Sequence, residues 1–429
     1  MEDIYIQYRH KKYFINPPDY WKILTFAVFE ENFKKQDVEA LTRNVLKNPI
    51  RSEPLSSRVN PSDRVAVIIE DLTRASPKAI VLEALLDELR EAGIPDKSIS
   101  IVISLGSHRR PNHEEIAQGY GRDIVKRYEF ISHDCLSPDL VPIGRLKTGA
   151  EVKINRIVYE ADFRIGVGSI FPHPMNGFGG GGKILFPGVA DRESMLEHHL
   201  KYSLRKEAGL GRLDGNPFYE EVCSLSKAGG LDFIINSVLD HNDRLYDLVC
   251  GDPIEAHLAG VEIERGIISR RFRGMSDLTL ITAFPYSEGQ QVMKPLAPAS
   301  IITKEGGCII LFADMITPLP EILLKACEAF RQRHGSNLTS ALFDHFERNL
   351  GIKDGLPPEL NMALAQALMA QDRFRVILVS EDIPRETVER IGFYYAEDPD
   401  RAFEMSREFC PDPEVNIIPS GGIILPIIE

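Results

Sequence analysis

Short β-branched runs alternate with segments of helical spacing along most of this 429-residue chain, and this alternation most restricts the folds open to it. Arg64–Asp71 (RVAVIIED) predicts a strand, and Lys78–Gly93 predicts a helix whose terminal glycine suits a C-cap. Ser98–Ser104 predicts the next strand, residues 113–128 a further helix, and Asp162–Ile170 a third strand. Strands that alternate with helices form βαβ units, so the sequence predicts an α/β fold with a largely parallel sheet.

A second alternating series begins near Asp277, and its strands include DLTLITAF, GGCIILFAD and FRVILVSED. One hydrophobic core seldom grows beyond about 250 to 300 residues, so we expect two α/β lobes flanked by helices, with the active site in the cleft between them. The boundary is expected in the polar segment Arg265–Asp277. We assign residues 1–274 to an N-terminal domain and 275–409 to a C-terminal domain, while the strand-like segment 410–429 could return to the first.

The charge balance argues against a nucleic-acid partner. The chain has 50 basic and 63 acidic residues, a net charge of −13, which opposes binding to a phosphate backbone. No segment approaches the roughly 20 apolar residues of a membrane span, and the first residues lack the pattern of a signal peptide. We therefore expect a cytoplasmic protein that binds neither nucleic acid nor membrane. Six scattered cysteines without a CxxC pair are expected to be free thiols.

Three loops that follow predicted strands carry side chains suited to acid–base or anion-binding chemistry. The first contains Asp71, Thr73 and Arg74, the second contains His108, and the third is the stretch Phe171–Leu200. Carboxyl ends of parallel strands share one edge of a sheet, so the three loops should face one crevice. Individually, the aspartate and threonine could be capping residues and the histidine a solvated loop residue. Together they favour a functional site.

The third loop contains four consecutive glycines followed by Lys183. Gly177–Lys183 (GFGGGGK) nearly satisfies the P-loop pattern, but Ile184 stands where a Mg²⁺-binding Ser or Thr is required, which argues against NTP hydrolysis. The apolar flanks SIFPHP and ILFPGV argue against a flexible linker. Such a run indicates positive φ or a close approach of the backbone to a bulky group, for example a phosphate.

Five motifs in order resemble those of the nickel-pincer-nucleotide-dependent lactate racemase family. They run from Asp71 to Lys294 and read DLTR, GSHR, HPMNGFGGGGK with FPG just after, HH at the end of the next helix, and QQVMK. The resemblance implies an isomerase: a racemase or epimerase of a 2-hydroxy acid that uses reversible hydride transfer from the substrate Cα through a 2-keto acid. It also implies that residues 1–274 form a cofactor-binding and catalytic domain, and that cofactor-assembly enzymes are partners.

The resemblance further implies residue roles. Lys183 would carry nickel pyridinium-3,5-bisthiocarboxylate mononucleotide covalently, and His199, sixteen positions later, would be the metal ligand from the protein. His108 and His173 would be the acid–base groups, which suits imidazole because its pKa lies near neutrality. The other implied contacts are with the cofactor, through Asp71, Leu72, Thr73 and Arg74, and with the substrate, through Arg74, Gln291 and Lys294.

Two other functions stay open. A zinc-dependent hydrolase or lyase would use His108, His173, His198 and His199, although adjacent helix residues point about 100° apart. A noncatalytic metabolite-binding protein of the same fold is the other. Lactate-specific members of the family have a loop closer to Tyr-Ser-Gly-Gly-Arg-Lys, whereas this chain has FGGGGK. The substrate could therefore be larger or more polar than lactate, such as malate, a phenyl-substituted acid or a sugar acid.

Overall fold

The computed structural model describes residues 3–8, 11–29 and 35–429. The chain divides into a first unit, Asn32–Ile267, and a second unit, Met1–Glu31 with Ile268–Glu429. Among the described residues, every helix is too short or too polar to cross a lipid bilayer.

The strands of the described residues are short. They are β1 Tyr5–Tyr8, β2 Lys11–Phe14, β3 Lys22–Phe26, β4 Val65–Glu70, β5 Ile99–Ser104, β6 Glu129–Ser132, β7 Leu140–Arg145, β8 Glu151–Asn155, β9 Phe163–Ile170, β10 Pro172–His173, β11 Gly177–Phe178, β12 Phe233–Leu239, β13 Leu245–Gly251, β14 Ser269–Phe272, β15 Ser276–Thr282, β16 Thr303–Phe312, β17 Arg375–Val379, β18 Tyr394–Ala396, β19 Glu414–Ile418 and β20 Leu425–Ile428.

The helices separate most of these strands. They are α1 Val38–Lys47, α2 Leu55–Arg58, α3 Lys78–Glu91, α4 His113–Tyr120, α5 Arg122–Arg127, α6 Arg156–Glu160, α7 Arg192–Tyr202, α8 Pro217–Ala228, α9 Glu255–Ile268, α10 Leu296–Ile302, α11 Glu321–His334, α12 Leu338–Glu347, α13 Pro358–Arg373, α14 Arg385–Ile391 and α15 Pro399–Phe409, with 3₁₀ turns at Asp96–Ser98, Gly181–Ile184 and Gly289–Met293.

The first unit is built on a six-stranded sheet in the order β13-β12-β9-β4-β5-β6. All neighbours are parallel except β13, which is antiparallel to β12. Every residue of β4 is buried, as expected for a central strand covered on both faces. The predicted strands at 64–71, 98–104 and 162–170 are confirmed as β4, β5 and β9, and the predicted helix over 113–128 is two helices separated at Gly121, whose φ is 101°.

The second unit is built on a fully parallel six-stranded sheet in the order β18-β17-β16-β15-β19-β3. The predicted fold of two α/β lobes with largely parallel sheets is thereby confirmed. The unit boundaries differ from the predicted domains, because β3 pairs with β19 and β20 pairs with β14. Buried residues of β19 complete the sheet core of the second unit, so residues 410–429 and the N-terminal strands belong there.

Candidate active site

The loops predicted to carry function leave the carboxyl edge of the first unit's sheet. Strand β4 lies between β9 and β5, so the segments that follow these three strands are neighbours at that edge. This is where ligands bind in open parallel sheets.

Asp71 follows β4 directly and holds the ring of His108, which lies in the loop after β5. Nδ1 of His108 is 2.5 Å from Oδ2 of Asp71, and Oδ1 of Asp71 accepts from the Thr73 amide at 2.9 Å and hydroxyl at 2.6 Å. Burial alone would raise the pKa of Asp71, but the adjoining His108 and Arg74 charges and these hydrogen bonds outweigh it and hold that pKa well below its usual range. The Asp71 carboxylate is therefore ionised and accepts a hydrogen bond from the Nδ1–H of His108.

Two buried ionisable residues, Glu70 and Lys78, make hydrogen bonds that hold the loop after β4. The carboxyl of Glu70 accepts hydrogen bonds from the hydroxyls of Ser76 and Ser169, the latter at 2.7 Å, and Lys78 donates to the carbonyl of Arg74. Burial raises the pKa of Glu70 and lowers the pKa of Lys78. These residues were missed in the sequence, where a Glu ending an apolar strand was the only signal.

Arg74 and Leu72 point to different surroundings. The guanidinium of Arg74 lies over the ring of Phe171, 4.5 Å from its centroid, in a cation–π arrangement. Leu72 packs against the hydrophobic core, where a Cβ on Gly119 would come within 2.2 Å of Cδ2 of Leu72. The side chain of Leu72 therefore contributes packing, while that of Arg74 contributes charge.

Lys183 lies in the 3₁₀ turn that ends the glycine run. Burial, and secondarily the charge of Arg74, lower the pKa of Lys183 to about 7. Its Nζ is 5.7 Å from the ring centroid of Phe218. A large share of this amine is therefore uncharged and nucleophilic at neutral pH.

The glycine run packs against the protein itself. Gly180 and Gly181 have φ values of 78° and 55°, and a Cβ on them would lie 2.9 Å from Oδ1 of Asn236 and 2.7 Å from Cγ of His257, respectively. The Gly181 amide donates to Asn236 Oδ1 at 2.8 Å, and His257 Nε2 lies 2.9 Å from the Gly179 carbonyl oxygen. These glycines let the loop pack closely on Asn236 and His257, a reason for the run that the sequence did not show.

His199 is oriented by its own helix, α7. Its Nδ1 lies 2.7 Å from the carbonyl oxygen of Met195 and must donate to it, which leaves a lone pair on Nε2. Burial and the charge of Lys183 lower the pKa of His199 to about 3. A neutral imidazole with a free Nε2 is the form that binds a metal.

His198 is a core residue. It is fully buried, its ring centroid is 4.2 Å from that of Phe218, and its Nε2 lies 3.3 Å from the Phe218 carbonyl oxygen. Burial holds the pKa of His198 well below its usual value. Its surroundings are those of a packed side chain.

His173 lies at the end of the β10–β11 hairpin and is bonded differently from His108. Its Nδ1 accepts from the backbone amides of Asn176 at 3.0 Å and Met175 at 3.3 Å. An acceptor cannot carry a proton, so the neutral ring has its proton on Nε2.

Phe218 lies among the predicted site residues but was missed in the sequence. Its fully buried ring is near Nζ of Lys183 and near the rings of His173, at 6.3 Å, and His199, at 5.0 Å. Asn216 caps helix α8 just before it, with Oδ1 accepting from the Phe218 amide at 3.0 Å. A phenylalanine at a helix start gives no functional signal.

Gln291 and Lys294 belong to the second unit, whereas the other predicted site residues lie in the first. They follow β15, and Nζ of Lys294 donates to Oε1 of Gln291 at 3.3 Å. The same ammonium lies 4.2 Å from the ring centroid of Tyr286. The two residues therefore form an adjacent pair of one amide and one cation.

In the part of the chain that the structure describes, no group of three or more His, Cys, Asp or Glu side chains is arranged to hold a metal ion. A zinc centre built from His108, His173, His198 and His199 is therefore not supported.

Known proteins resemble this chain in sequence. Residues 8–211 match the family model described as lactate racemase N-terminal domain. The lactate racemase of Thermoanaerobacterium thermosaccharolyticum is 29% identical over 291 residues, which cover 67% of this chain and 67% of that protein. The lactate racemase of Lactiplantibacillus plantarum is 33% identical over 275 residues, which cover 62% of this chain and 64% of that protein.

Solved structures extend the similarity over nearly the whole chain. The lactate racemase apoprotein from Thermoanaerobacterium thermosaccharolyticum has a TM-score of 0.86 and 26% identity, and the match covers 99% of this chain and 100% of that one. A Thermotoga maritima protein has a TM-score of 0.68 and 19% identity, covering 92% of this chain and 100% of that one, which is a likeness of fold alone.

Proposed function

Because this chain is similar to lactate racemases in sequence and in structure, we propose that it is a racemase or epimerase of a 2-hydroxy acid that uses reversible hydride transfer through a 2-keto acid. A racemase is an isomerase, and that is the enzyme class of its relatives. The observation that carries the proposal is the pairing of a desolvated amine of lowered pKa, Lys183, with a metal-competent imidazole, His199, beside the ring of Phe218.

The residues fit a nickel pyridinium-3,5-bisthiocarboxylate mononucleotide. Lys183 would be joined through a thioamide to a thiocarboxylate carbon of this group, because a desolvated amine of lowered pKa is a good nucleophile. His199 would ligate the nickel through Nε2, and imidazole suits nickel. When bound, this group supplies a pyridinium carbon that accepts hydride from the substrate. Arg74 and the loop from Asp71 to Thr73 would contact the mononucleotide.

The substrate needs a cation for its carboxylate and imidazoles for its hydroxyl. Arg74 would supply the charge for the carboxylate, and Gln291 and Lys294 are further candidate substrate-binding residues. His108 and His173 serve the hydroxyl group. The proposal includes a cytoplasmic location and cofactor-assembly enzymes as partners.

Substrate identity is best addressed by a screen. The protein is produced together with the cofactor-assembly enzymes, and its activity is followed by chiral chromatography over lactate, malate, phenyl-substituted acids and sugar acids. We expect interconversion of enantiomers or epimers, a mass increment on Lys183, and bound nickel. Protein with no adduct, no nickel and no interconversion would contradict the proposal.

Site variants separate the roles. His108→Ala and His173→Ala should keep the mass increment on Lys183 and lose racemisation, whereas His113→Ala, at an exposed position on α4, should keep both. Full activity in either site variant would overturn its role. Stoichiometric zinc with hydrolysis would instead favour a hydrolase, and thermal stabilisation by 2-hydroxy acids without turnover would favour a binding protein.

A further inference from the structure

The two site histidines make opposite use of the same ring atom. Nδ1 of His108 faces the carboxylate of Asp71, which can only accept, whereas Nδ1 of His173 faces the amides of Met175 and Asn176, which can only donate. Neutral His108 therefore carries its proton on Nδ1 and a lone pair on Nε2. Neutral His173 carries its proton on Nε2.

Each tautomer is held by its surroundings. Oδ1 of Asp71 is itself bound by the Thr73 amide and hydroxyl, so the carboxylate cannot turn away without losing both bonds. The reverse tautomer of His108 would set a lone pair against that carboxylate. At His173 the reverse tautomer would set an N–H against two amide hydrogens. Either change of tautomer would break hydrogen bonds between part-buried groups, which costs free energy.

We propose, on the basis of the proposed function, that Asp71 is a positioning residue that makes His108 the proton acceptor. His173 is then a neutral hydrogen-bond donor. A 2-hydroxy acid and its 2-keto acid need such a pair. A hydroxyl gives its proton to a lone pair, and the carbonyl oxygen that results accepts from an N–H. The two imidazoles are then complementary and not interchangeable.

The proton step balances within these residues. The substrate O–H bond breaks and the proton forms a bond to Nε2 of His108, giving an imidazolium beside the Asp71 carboxylate. The O–H electron pair would become part of the carbonyl bond as Cα gives up hydride, for which the cofactor of the proposed function would supply the acceptor. The Nε2–H of His173 binds the carbonyl oxygen and keeps its proton. Return of the proton from His108 reverses the step.

The tautomers can be tested without cofactor or activity. Two-bond ¹H–¹⁵N spectra of apoprotein labelled on its 11 histidines report tautomers directly, and His108→Gln and His173→Gln assign the two signals. We expect Nδ1–H at His108 and Nε2–H at His173 in the wild type, with Asp71→Asn changing only the His108 signal. The same tautomer at both rings, or an unchanged His108 in Asp71→Asn, would overturn the proposal.

Kinetics of the loaded protein test the roles. Asp71→Asn should lower kcat by roughly 10² to 10⁴, as expected when a histidine is held in the wrong tautomer, with little change in KM and with the mass increment on Lys183 retained. His173→Gln can donate but cannot transfer a proton, so it should retain measurable racemisation that His108→Gln lacks. Loss in His173→Gln equal to that in His108→Gln would overturn the division. Wild-type protein that carries the adduct but racemises nothing would contradict the proposed function alone, because the apoprotein spectra still test the tautomers.

Discussion

The lowered pKa of Lys183 leads to a quantitative prediction about the protein without cofactor. An ordinary lysine has a pKa near 10.4, so about 0.04% of it is uncharged at pH 7, whereas about half of a lysine with a pKa of about 7 is uncharged. The uncharged fraction of Lys183 at pH 7 should therefore exceed that of an ordinary lysine by roughly 1,000-fold. Burial is the larger cause and the Arg74 charge the smaller.

The assay is competitive labelling of the apoprotein with trace acetic anhydride between pH 5 and 11, read peptide by peptide by mass spectrometry. Lys126, whose side chain is 75% exposed, provides an internal reference for reagent reactivity. The labelling rate of Lys183 should reach half its maximum near pH 7. Arg74→Gln should move that midpoint upward but leave it well below 10, because burial remains.

Two results would refute this reasoning. A midpoint for Lys183 near that of an ordinary lysine would mean that the amine is solvated and charged at neutral pH. A full return to the ordinary value in Arg74→Gln would mean that charge repulsion, and not burial, lowers the pKa. The first result would remove the physical basis for Lys183 as the attachment point, and the second would reassign the cause of its lowered pKa from burial to the Arg74 charge.

Three further predictions concern the site and its support. Lys183→Ala should lose the covalent adduct in intact-mass spectra, while His199→Ala should keep the adduct and lose nickel by metal analysis; the reverse pattern would exchange their roles. Gly181→Ala should destabilise the protein by about 2–4 kcal/mol in chemical denaturation, because it adds backbone strain to a clash. Gly266→Ala, in a helix with nothing within 4 Å of the added Cβ, is its matched control and should stabilise by about 0.5–1 kcal/mol. Glu264 is fully buried, and this burial together with two nearby carboxylates raises its pKa. Folding therefore favours the neutral carboxyl. The free energy of unfolding should fall as pH rises above about 4.3, the pKa of a glutamate in the unfolded chain. Glu264→Gln should therefore gain Tm over the wild type progressively from about pH 5 to pH 8, and a pH-independent difference would contradict this.

Local sequence patterns predicted most of the fold. The β-branched runs predicted β4, β5 and β9, and apolar periodicity predicted α3. These elements could be predicted because the spacing of apolar residues within a short segment shows which side of a strand or helix is buried. Asp71 and His108 were proposed as site residues because they lie in loops that follow buried strands, and Lys183 because it ends the glycine run. Which strands pair cannot be read from a short segment, because the partners are distant in the sequence. Strand β19 belongs to the second unit because it pairs with β15 and β3.

The sequence by itself determined the α/β class, the order of the motifs and the chemical types at the strand ends, because these follow from side-chain chemistry and short-range spacing. Only the tertiary structure decided what each group touches. His108 meets Asp71 across 37 residues, and His173 meets two local amides, so two like imidazoles acquire opposite tautomers. Phe218 reaches Lys183 and His199 because α8 packs beside the glycine loop. Such pairings depend on sheet order and loop packing, which no short segment encodes.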